Sequence, residues 1–406
     1  MRVSTAFNRM LRVPGAWVDA VDFTTADDVV VHLRRRSRRR RCPCGWSTQS
    51  RYDLSRRRWR SLDLGTNRLW LEADIARIDC PRCCRVRTEE VPWARPGARH
   101  TRDFEDLVAW LAQRTDKTSI SRLLRCSWEA VQRIVTRVVA DHLNDSRLNN
   151  LYRLGIDEIS YKRGHRYLTV IADHDTGHVV WVAQGRSQAV LSSFYEALGP
   201  DRCAQLEAIS MDMVTVWQAP TREHAPQAVM CFDPFHVIRW TNIALDSVYA
   251  EASRELKPIA GRDWRRIRYA LRSGVERLDD RGHELLGVVR RARSQLWRAW
   301  ELKEELRALY QSVEPDEARA YLKAWITRAK RSRIRQFVTL ARRIDNHFDG
   351  IAAAVEHDLS NSRVEAVNAK IRRLNRIGFG HPKLENLMAM IHLVLGGITI
   401  PLPTET

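Results

Sequence analysis

The fold of this chain is decided by the stretch Tyr152–Ile159, which has the sequence YRLGIDEI. Its apolar residues predict a buried β-strand, into which the acidic pair Asp157 and Glu158 is set. Because side chains alternate along a strand, we expect these two carboxylates to point to opposite faces. Two more strands are predicted downstream, at Arg166–Ala172 and His178–Ala183.

A mixed α/β core extends outward from this first strand. The next predicted elements are a helix at Ser187–Leu198, strands at Leu206–Met213 and Ala228–Phe232, and late helices at about 362–375 and 384–395. Residues 235–355 have helical periodicity almost throughout and are rich in Arg and Trp. The order of elements therefore predicts a sheet-centred core that a long helical region interrupts.

The composition points to a nucleic-acid partner. The 406 residues are 44% hydrophobic, as in an ordinary globular protein, and carry a net charge of +19 with a pI near 10.1. A surface this cationic gains affinity for phosphates by releasing their counterions. The first 20 residues contain no unbroken apolar signal segment, and the longest apolar stretch, Leu387–Ile400, is too short to span a membrane. We therefore expect a cytoplasmic protein without a membrane partner.

Two close cysteine pairs predict a structural Zn²⁺ site. Cys42 and Cys44 form a tight C-x-C pair, and Cys80 and Cys83 form a C-x-x-C pair. Two such turns supply the four thiolates that tetrahedral zinc requires, and strands between them would make a zinc ribbon. Two alternatives stay open, namely that Cys84 replaces Cys83 or that all of these thiols are free.

Residues 103–141 are predicted to form three helices, the third of them capped by Ser127. The arrangement is typical of a helix-turn-helix unit, whose third helix enters the major groove of DNA, although a generic three-helix bundle has the same spacing. Two basic clusters precede it, and the first, Arg34–Arg41, has seven arginines in eight positions and predicts a solvated arm. The residues expected to contact DNA are Arg38, Arg39, Arg40, Arg58, Arg60, Gln132, Arg133, Arg137, Asn368 and Arg372.

Three carboxylates are candidates for a catalytic metal site. Asp157 lies in the first strand, Asp212 at the end of the fourth strand and Glu365 on a late helix. Phosphoryl transfer on DNA needs two divalent cations about 4 Å apart, which carboxylates from distant parts of a chain can hold. In an RNase H-like sheet the two strands are adjacent, so both aspartates can face one site. Glu365, Asn368 and Arg372 share a helical face that suits a metal ligand beside phosphate-contacting groups.

Other polar residues compete for these roles. The competing carboxylates are Glu158, Asp173, Asp175 and Asp233. Asp175 is most simply a turn residue, and Asp233 has two interpretations, as the cap of a helix that begins at Pro234 or as a site residue. His236 is a candidate to contact DNA or a metal-bound oxygen, although a histidine near aromatic residues is more often simply packed.

The ordered set of motifs resembles the DDE transposases of bacterial insertion sequences, of the ISL3 type. The matching stretches are the cysteine pairs around Arg58–Gly65, then Val91–Ala94, Gly155–Glu158, Ser210–Met213, Phe232–Val237 and Asn361–Glu365 with Asn368, Lys370 and Ile371. They span roughly residues 40–395. The chain departs from the family pattern in its tight first cysteine pair, in Ala366 at a glycine position, and in Phe379-Gly380-His381 where an aromatic-glycine-aromatic run is common.

The resemblance implies a multidomain α/β protein with an RNase H-like catalytic core, an all-helical insertion, and a preceding zinc ribbon and helix-turn-helix. It also implies that Asp157, Asp212 and Glu365 are the catalytic triad and hold two Mg²⁺ (or Mn²⁺) ions. The expected domains are an N-terminal helix, strand and basic arm (1–37), a zinc ribbon (38–92), a helix-turn-helix (100–145), the core (150–240 with 356–400) and the insertion (241–355).

The implied function is that of a DNA transposase of the bacterial nucleoid. Such an enzyme binds the terminal inverted repeats of its insertion sequence, cleaves their 3′ ends and joins them to target DNA. Because two ends must be joined, we expect at least a homodimer on double-stranded DNA. Two alternatives stay open: a catalytically inactive regulator that uses only the DNA-binding regions, and an RNase H-like junction nuclease that cuts without strand transfer.

Overall fold

The structure is a computed structural model that describes residues 2–25, 27–292, 294–378, 381, 383–402 and 405. Phe379 and Gly380, from the run that departs from the family pattern, lie outside these residues. The chain divides into two compact units, one formed by Met1–Asn144 together with Ile377–Thr406 and the other by Asp145–Arg376. Among the described residues, no helix has both the length and the apolar character that a membrane crossing requires.

The first unit begins with a helix and a mixed β-sheet. Its elements are α1 (Val3–Leu11), β1 (Ala16–Thr25), β2 (Asp28–Arg35), β3 (Arg40–Arg41), β4 (Ser47–Thr48), β5 (Asp53–Arg60), β6 (Arg68–Cys80) and β7 (Arg85–Thr88). The main sheet has the order β1-β2-β6-β5, with β7 also paired to β6, and β3 and β4 form a small hairpin. Phe7 of α1 shares one apolar core with Val31 and Leu71 of the sheet.

This sheet joins segments that the sequence analysis placed in separate domains. Strands β1 and β2 precede the predicted boundary at residue 37, yet β2 pairs in parallel with β6. The predicted solvated arm also belongs to the unit, because Arg35 ion-pairs with the buried Glu89 and the guanidinium of Arg36 lies 3.8 Å from the ring centroid of Trp17. The arm is nevertheless solvated as predicted, since five of its seven arginines are exposed, namely Arg34, Arg36, Arg38, Arg39 and Arg41.

Three helices follow the sheet, as the sequence predicts: α2 (Arg102–Ala112), α3 (Lys117–Leu123) and α4 (Trp128–His142). Each begins after a residue whose side chain accepts a hydrogen bond from a backbone N–H of the first turn, and these residues are Thr101, Asp116 and Ser127. The predicted cap at Ser127 is thus confirmed.

A buried ion-pair network lies beside these helices. Arg95 is only 4% exposed, and its guanidinium contacts the carboxylates of Glu105, Asp106 and Asp141. The second oxygen of Glu105, on α2, contacts Arg137 on α4. The network therefore links α2 to α4 and to the segment that leads into them.

A five-stranded mixed sheet forms the centre of the second unit. Its strands are β8 (Arg153–Lys162), β9 (Arg166–Asp173), β10 (Val179–Gln184), β11 (Ala208–Met211) and β12 (Val229–Phe232). Their order is β10-β9-β8-β11-β12, with β8, β9 and β10 antiparallel and β8, β11 and β12 parallel. Helices α5 (Gln188–Leu198), α6 (Pro200–Cys203) and α7 (Thr215–His224) connect these strands. The predicted mixed α/β fold is confirmed.

The region predicted to be helical is helical. Its helices are α8 (Pro234–Ala260), α9 (Trp264–Arg272), α10 (Asp280–Arg291), α11 (Gln295–Ala308), α12 (Ala318–Arg331), α13 (Arg335–Asp345) and α14 (Phe348–Glu356), and they are followed by α15 (Ser362–Ile377). Buried residues of these helices, among them Leu296, Trp325 and Phe337, share one apolar cluster with Ile156 of the sheet. The helical region and the sheet are thus packed together as one unit.

The last helix, α16 (Leu384–Leu395), belongs to the first unit. The sequence analysis placed it in the catalytic core, within 356–400. Instead, Met390 and Leu393 pack with Val135 of α4, and the side-chain amide of Gln113 donates to the carbonyl oxygens of Leu393 (2.8 Å) and Ile398 (2.9 Å). An apolar helix without a distinguishing motif can pack equally well on the apolar core of either unit. Its sequence pattern therefore did not reveal which core it covers.

Candidate active site

Three aspartates lie in one row across the parallel strands of the second unit. The strands are aligned so that Ser210 of β11 pairs with Gly155 of β8 on one side and with Cys231 of β12 on the other. Two residues further along the three strands stand Asp157, Asp212 and Asp233. Strand register therefore brings carboxylates from three separate parts of the chain to the same level of the sheet.

Asp157 is held firmly within this row. Its Oδ1 accepts from the backbone N–H of Glu158 at 2.8 Å, and its Oδ2 accepts from the side-chain amide of Asn368 on α15, also at 2.8 Å. Burial and the negative charge of Glu158 raise the pKa of Asp157 to about 6, although the hydrogen bond from the backbone N–H of Glu158 acts in the opposite direction. A cation at this position would lower that pKa, because an opposite charge favours the ionised form.

His236 connects the other two aspartates of the row. It lies in the first turn of α8, which Asp233 caps by accepting from the backbone N–H of Phe235 at 3.3 Å. Nδ1 of His236 lies 3.0 Å from Oδ2 of Asp233, and its Nε2 lies 3.4 Å from Oδ2 of Asp212. The hydrogen bond with Asp233 raises the pKa of His236, and the charge of Asp212 acts in the same direction. Asp233 thus caps α8 and also holds His236 beside Asp212, so both residues stay candidates for the site.

Glu365 lies on α15, within electrostatic reach of Asp233 in the row. Its side chain is exposed, and its backbone N–H donates to the carbonyl oxygen of Asn361 at 2.8 Å. Burial raises the pKa of Glu365, the charge of Asp233 raises it further, and the charge of His236 lowers it. Asp233 raises and His236 lowers the pKa of Asp157 as well as that of Glu365, so both carboxylates lie within electrostatic reach of this pair. Among the described residues, Asp157, Asp212 and Glu365 do not bring their ligand atoms together as closely as the cysteines do.

Helix α15 fits against the strands because β8 carries a glycine at the point of contact. A β-carbon on Gly155 would lie 2.2 Å from Cγ2 of Val364, 2.8 Å from Nε2 of His174 and 3.2 Å from Oγ of Ser210. Any larger residue would push the helix, and Glu365 with it, away from the sheet. The glycine of the motif Gly155–Glu158 thus has a packing role beside the acidic residues.

Three competing carboxylates have other contacts. The two oxygens of Asp173 accept from the backbone N–H groups of Asp175 and Thr176, both at 3.1 Å, so Asp173 shapes the turn after β9. Asp175 ion-pairs with Arg153. Glu158 lies 3.8 Å from Arg186, and its pKa is raised first by burial and then by the charge of Asp212. Glu158 therefore lies within electrostatic reach of the site although strand alternation separates its side chain from that of Asp157.

The donor set in the row suits a hard divalent cation. Carboxylates are the ligands that Mg²⁺ and Mn²⁺ prefer, and the described structure pairs none of Asp157, Asp212 and Glu365 with a lysine or arginine. Asn368 is 1% exposed, and its Oδ1 is buried beside Asp157 without a hydrogen-bond partner among the described residues. Such an orphaned acceptor is costly unless a cation or a water occupies the space next to it.

The four predicted cysteines form a compact cluster in the first unit. Sγ of Cys42 lies 3.8 Å from Sγ of Cys83, Sγ of Cys44 lies 3.5 Å from Sγ of Cys80, and all four sulfurs lie within 4.8 Å of one another. Tetrahedral zinc with Zn–S bonds of about 2.3 Å separates its sulfurs by roughly 3.8 Å. Cys84 is exposed and directs its thiol to the carbonyl oxygen of Pro81, so it does not replace Cys83. In the described part of the chain, no other set of three or more such ligands is already gathered in this way.

The residues expected to contact DNA fall into two groups. Those whose side chains are exposed are Arg38, Arg39, Arg58, Arg133 and Arg372. Arg40 and Gln132 are half-buried. The remaining three are also covered at least in part: Arg137 is half-buried and ion-pairs with the fully buried Glu105, Arg60 is 5% exposed and ion-pairs with Asp63, and Asn368 is the buried partner of Asp157.

Comparisons with known proteins agree with this geometry. Residues 154–391 match a family model described as a transposase, of the DDE type of ISL3, and residues 89–139 match one described as the helix-turn-helix domain of transposase family ISL3. The chain is 41% identical over 402 residues to a transposase for insertion sequence element IS1557 of Mycobacterium tuberculosis, in strains CDC 1551 and H37Rv, covering 92% of this chain and 90% of the relative. It is 26% identical over 359 residues to a transposase for insertion sequence element IS1001 of Bordetella parapertussis, covering 87% of this chain and 88% of the relative. This chain belongs to the ISL3 family of transposases.

Proposed function

We propose that this transposase binds the terminal inverted repeats of its own insertion sequence, cleaves the 3′ ends and joins them to target DNA. The observation that carries the proposal is the strand register that brings Asp157, Asp212 and Asp233 to one level of the sheet, with Glu365 of α15 within electrostatic reach of Asp233. The strand order β10-β9-β8-β11-β12, with three antiparallel strands followed by two parallel ones, supports an RNase H-like core.

Asp157, Asp212 and Glu365 would hold two divalent cations, Mg²⁺ or Mn²⁺. When bound, such cations activate the attacking oxygen and stabilise the leaving oxygen of an in-line phosphodiester exchange. The protein's part is positioning: Asn368 orients Asp157, and the pair Asp233 and His236 orients Asp212. Metal ligands are commonly fixed by such partners, whose loss weakens metal affinity or activity about 10- to 100-fold.

The first unit would recognise the element's ends. Its helix α4 exposes Trp128 and Arg133 near its N-terminus, the part of a recognition helix that enters the major groove. The cysteine cluster would hold structural Zn²⁺ and so fix the turn after β3 against the end of β6. Since two ends must be joined, we infer that at least two copies of the chain act together on DNA.

The helical insertion would bring a cationic groove to the catalytic row. A groove of ≈ 400 Å³ runs between α8 and α13 and is lined by Trp240, Ile243, Arg335 and Arg343, among others. The guanidinium of Arg343 lies 3.4 Å from the ring centroid of Trp240, which is one helical turn beyond His236. The charge of Asp212 acts on the pKa of Arg343, so the groove lies within electrostatic reach of the carboxylates. DNA phosphates are the ligands that such arginines suit.

The test is a joining assay in Mg²⁺ with the element's own ends. Wild type should produce both cleaved and joined DNA, and Asp212→Ala should produce neither. Asp175→Ala, which removes a turn carboxylate paired with Arg153, is the matched control and should retain joining. Cleavage without joining would favour the junction nuclease, and end binding without any cleavage by wild type would favour the inactive regulator.

A further inference from the structure

Asn361, at the start of α15, contacts all three elements that carry the predicted catalytic carboxylates. Its side-chain amide donates to the carbonyl oxygen of Ile156 at 3.1 Å, directly before Asp157. Its Oδ1 accepts from the hydroxyl of Ser210, two residues before Asp212. Its backbone carbonyl accepts from the N–H of Glu365 at 2.8 Å. One residue thus ties β8, β11 and α15 together immediately behind the site.

The position makes these contacts unusual for an asparagine. The carbonyl of Asn361 accepts a hydrogen bond from the residue four positions later, so it occupies the capping position of α15. Asparagine at such a position ordinarily turns its side-chain oxygen toward the backbone N–H groups of its own helix. The contacts that the structure shows for this side chain run to the two strands instead.

The surroundings leave these contacts protected from water. Asn361 is 1% exposed, and Ser210 and Ile156 are fully buried. Oγ of Ser210 also lies 2.7 Å from Nε2 of the buried His174, so the hydroxyl is held from both sides. The missing β-carbon of Gly155 provides the space in which this cluster meets α15. Hydrogen bonds in such surroundings fix geometry strongly, because a lost partner would leave a buried polar group unsatisfied.

We propose that Asn361 is a positioning residue that fixes the helix of Glu365 against the strands of Asp157 and Asp212, so that the three carboxylates can converge on a divalent cation. The inference rests on the proposed function, in which these carboxylates are the metal ligands. It concerns the alignment of elements, since the hydrogen bonds of the Asn361 side chain run to Ile156 and Ser210.

The experiment measures Mn²⁺ binding to the full-length protein without DNA, by calorimetry or by the loss of free Mn²⁺ signal in electron paramagnetic resonance. Asn361→Ala should weaken Mn²⁺ binding about tenfold or more. The matched control is Asn375→Ala, which removes a comparable amide contact from the same helix to the same strand, a 2.9 Å bond to the carbonyl oxygen of Tyr161. The control should bind Mn²⁺ within about twofold of wild type, although both variants lose one amide contact to β8.

Two comparisons separate the possible failures. If wild type and Asp212→Ala bind Mn²⁺ equally, the proposed carboxylate site itself is wrong. If Asp212→Ala abolishes binding while Asn361→Ala binds as wild type does, the positioning role alone is overturned. Should Asn361→Ala fail to fold, Ser210→Ala takes its place, because it removes only the hydroxyl that donates to Asn361. Weakened Mn²⁺ binding in Ser210→Ala supports the proposal, and unchanged binding overturns it.

Discussion

Cγ2 of Val364 occupies the space in which a β-carbon of Gly155 would lie, 2.2 Å away. We therefore expect Gly155→Ala to lower the free energy of unfolding by about 1–3 kcal/mol, as overpacking of a filled core does. Because Val364 directly precedes Glu365, the displaced helix should also reduce DNA joining. Chemical denaturation and the joining assay measure the two effects.

The control for this substitution is Gly287→Ala. Gly287 lies inside α10, and its added β-carbon would meet only the end of the Arg291 side chain, at 3.4 Å. Alanine favours a helix, so this variant should be as stable as wild type or more stable by up to about 1 kcal/mol. If both variants lose the same stability, the contact between Gly155 and Val364 is not the cause of the loss in Gly155→Ala.

The cysteine cluster makes a prediction about metal content. Cys83→Ser should purify without stoichiometric zinc and lose stability in the first unit, because it removes one of four ligands. Cys84→Ser changes the adjacent, exposed thiol and should retain zinc. Elemental analysis of the purified proteins distinguishes the two, and zinc retained in Cys83→Ser but lost in Cys84→Ser would reverse our ligand assignment.

Two arginines one turn apart on α4 should behave differently. Arg133 is exposed, so Arg133→Ala should weaken binding to the inverted repeats and lower the slope of log affinity against log salt by about 1. Arg137 ion-pairs with the buried Glu105, so Arg137→Ala should mainly lower thermal stability. Binding titrations at several salt concentrations, together with melting curves, test this contrast. An unchanged salt slope in Arg133→Ala would remove α4 from the DNA contact.

His174 predicts a pH dependence for the stability of the second unit. Burial lowers its pKa from 6.5 to about 4, so between these values the unfolded chain binds a proton that the folded chain does not. The contribution of neutral His174 is therefore complete above about pH 6.5 and is lost as the pH falls toward 4. We expect the loss to reach about 3 kcal/mol at most, since one pKa unit corresponds to about 1.4 kcal/mol.

His174→Gln removes this titration and should flatten the pH profile in that window. The denaturation midpoints of the two proteins are measured at pH 7.5, 6, 5 and 4.5. Because all other titrating groups are the same in both proteins, the difference between the midpoints reports the contribution of His174. Parallel profiles for wild type and variant would show that His174 does not contribute.

The sequence predicted those parts of the fold that depend on local pattern. The strand around Asp157, the helix capped by Ser127 and the cysteine pairs are each encoded within a short window, and the structure contains all of them. The first strand, β1, was missed because residues 16–25 were interpreted together with the preceding helix. Its pairing with β2 depends on partners that only the folded chain brings together.

The site was predicted least well where a residue acts through its neighbours. The roles of Asp233 and His236 stayed open in the sequence, because a capping motif at the start of a helix does not show which residues lie beside it on the neighbouring strands. The register of β11 and β12 decides their role, because it places Asp233 level with Asp212. Asn368 was expected to contact DNA because it shares a helical face with Glu365, and in the structure its buried side-chain amide donates to Asp157.

The placement of α16 gives the protein a dependence on completed synthesis. The ribosome makes the helix-turn-helix early, but the apolar surface of α4 is covered by Met390 and Leu393, which emerge only after the entire catalytic unit. A nascent or prematurely terminated chain would therefore expose this surface to chaperones and proteases. We expect fragments that end before α16 to be removed by proteolysis, so that chains which include this helix would be the ones that bind DNA.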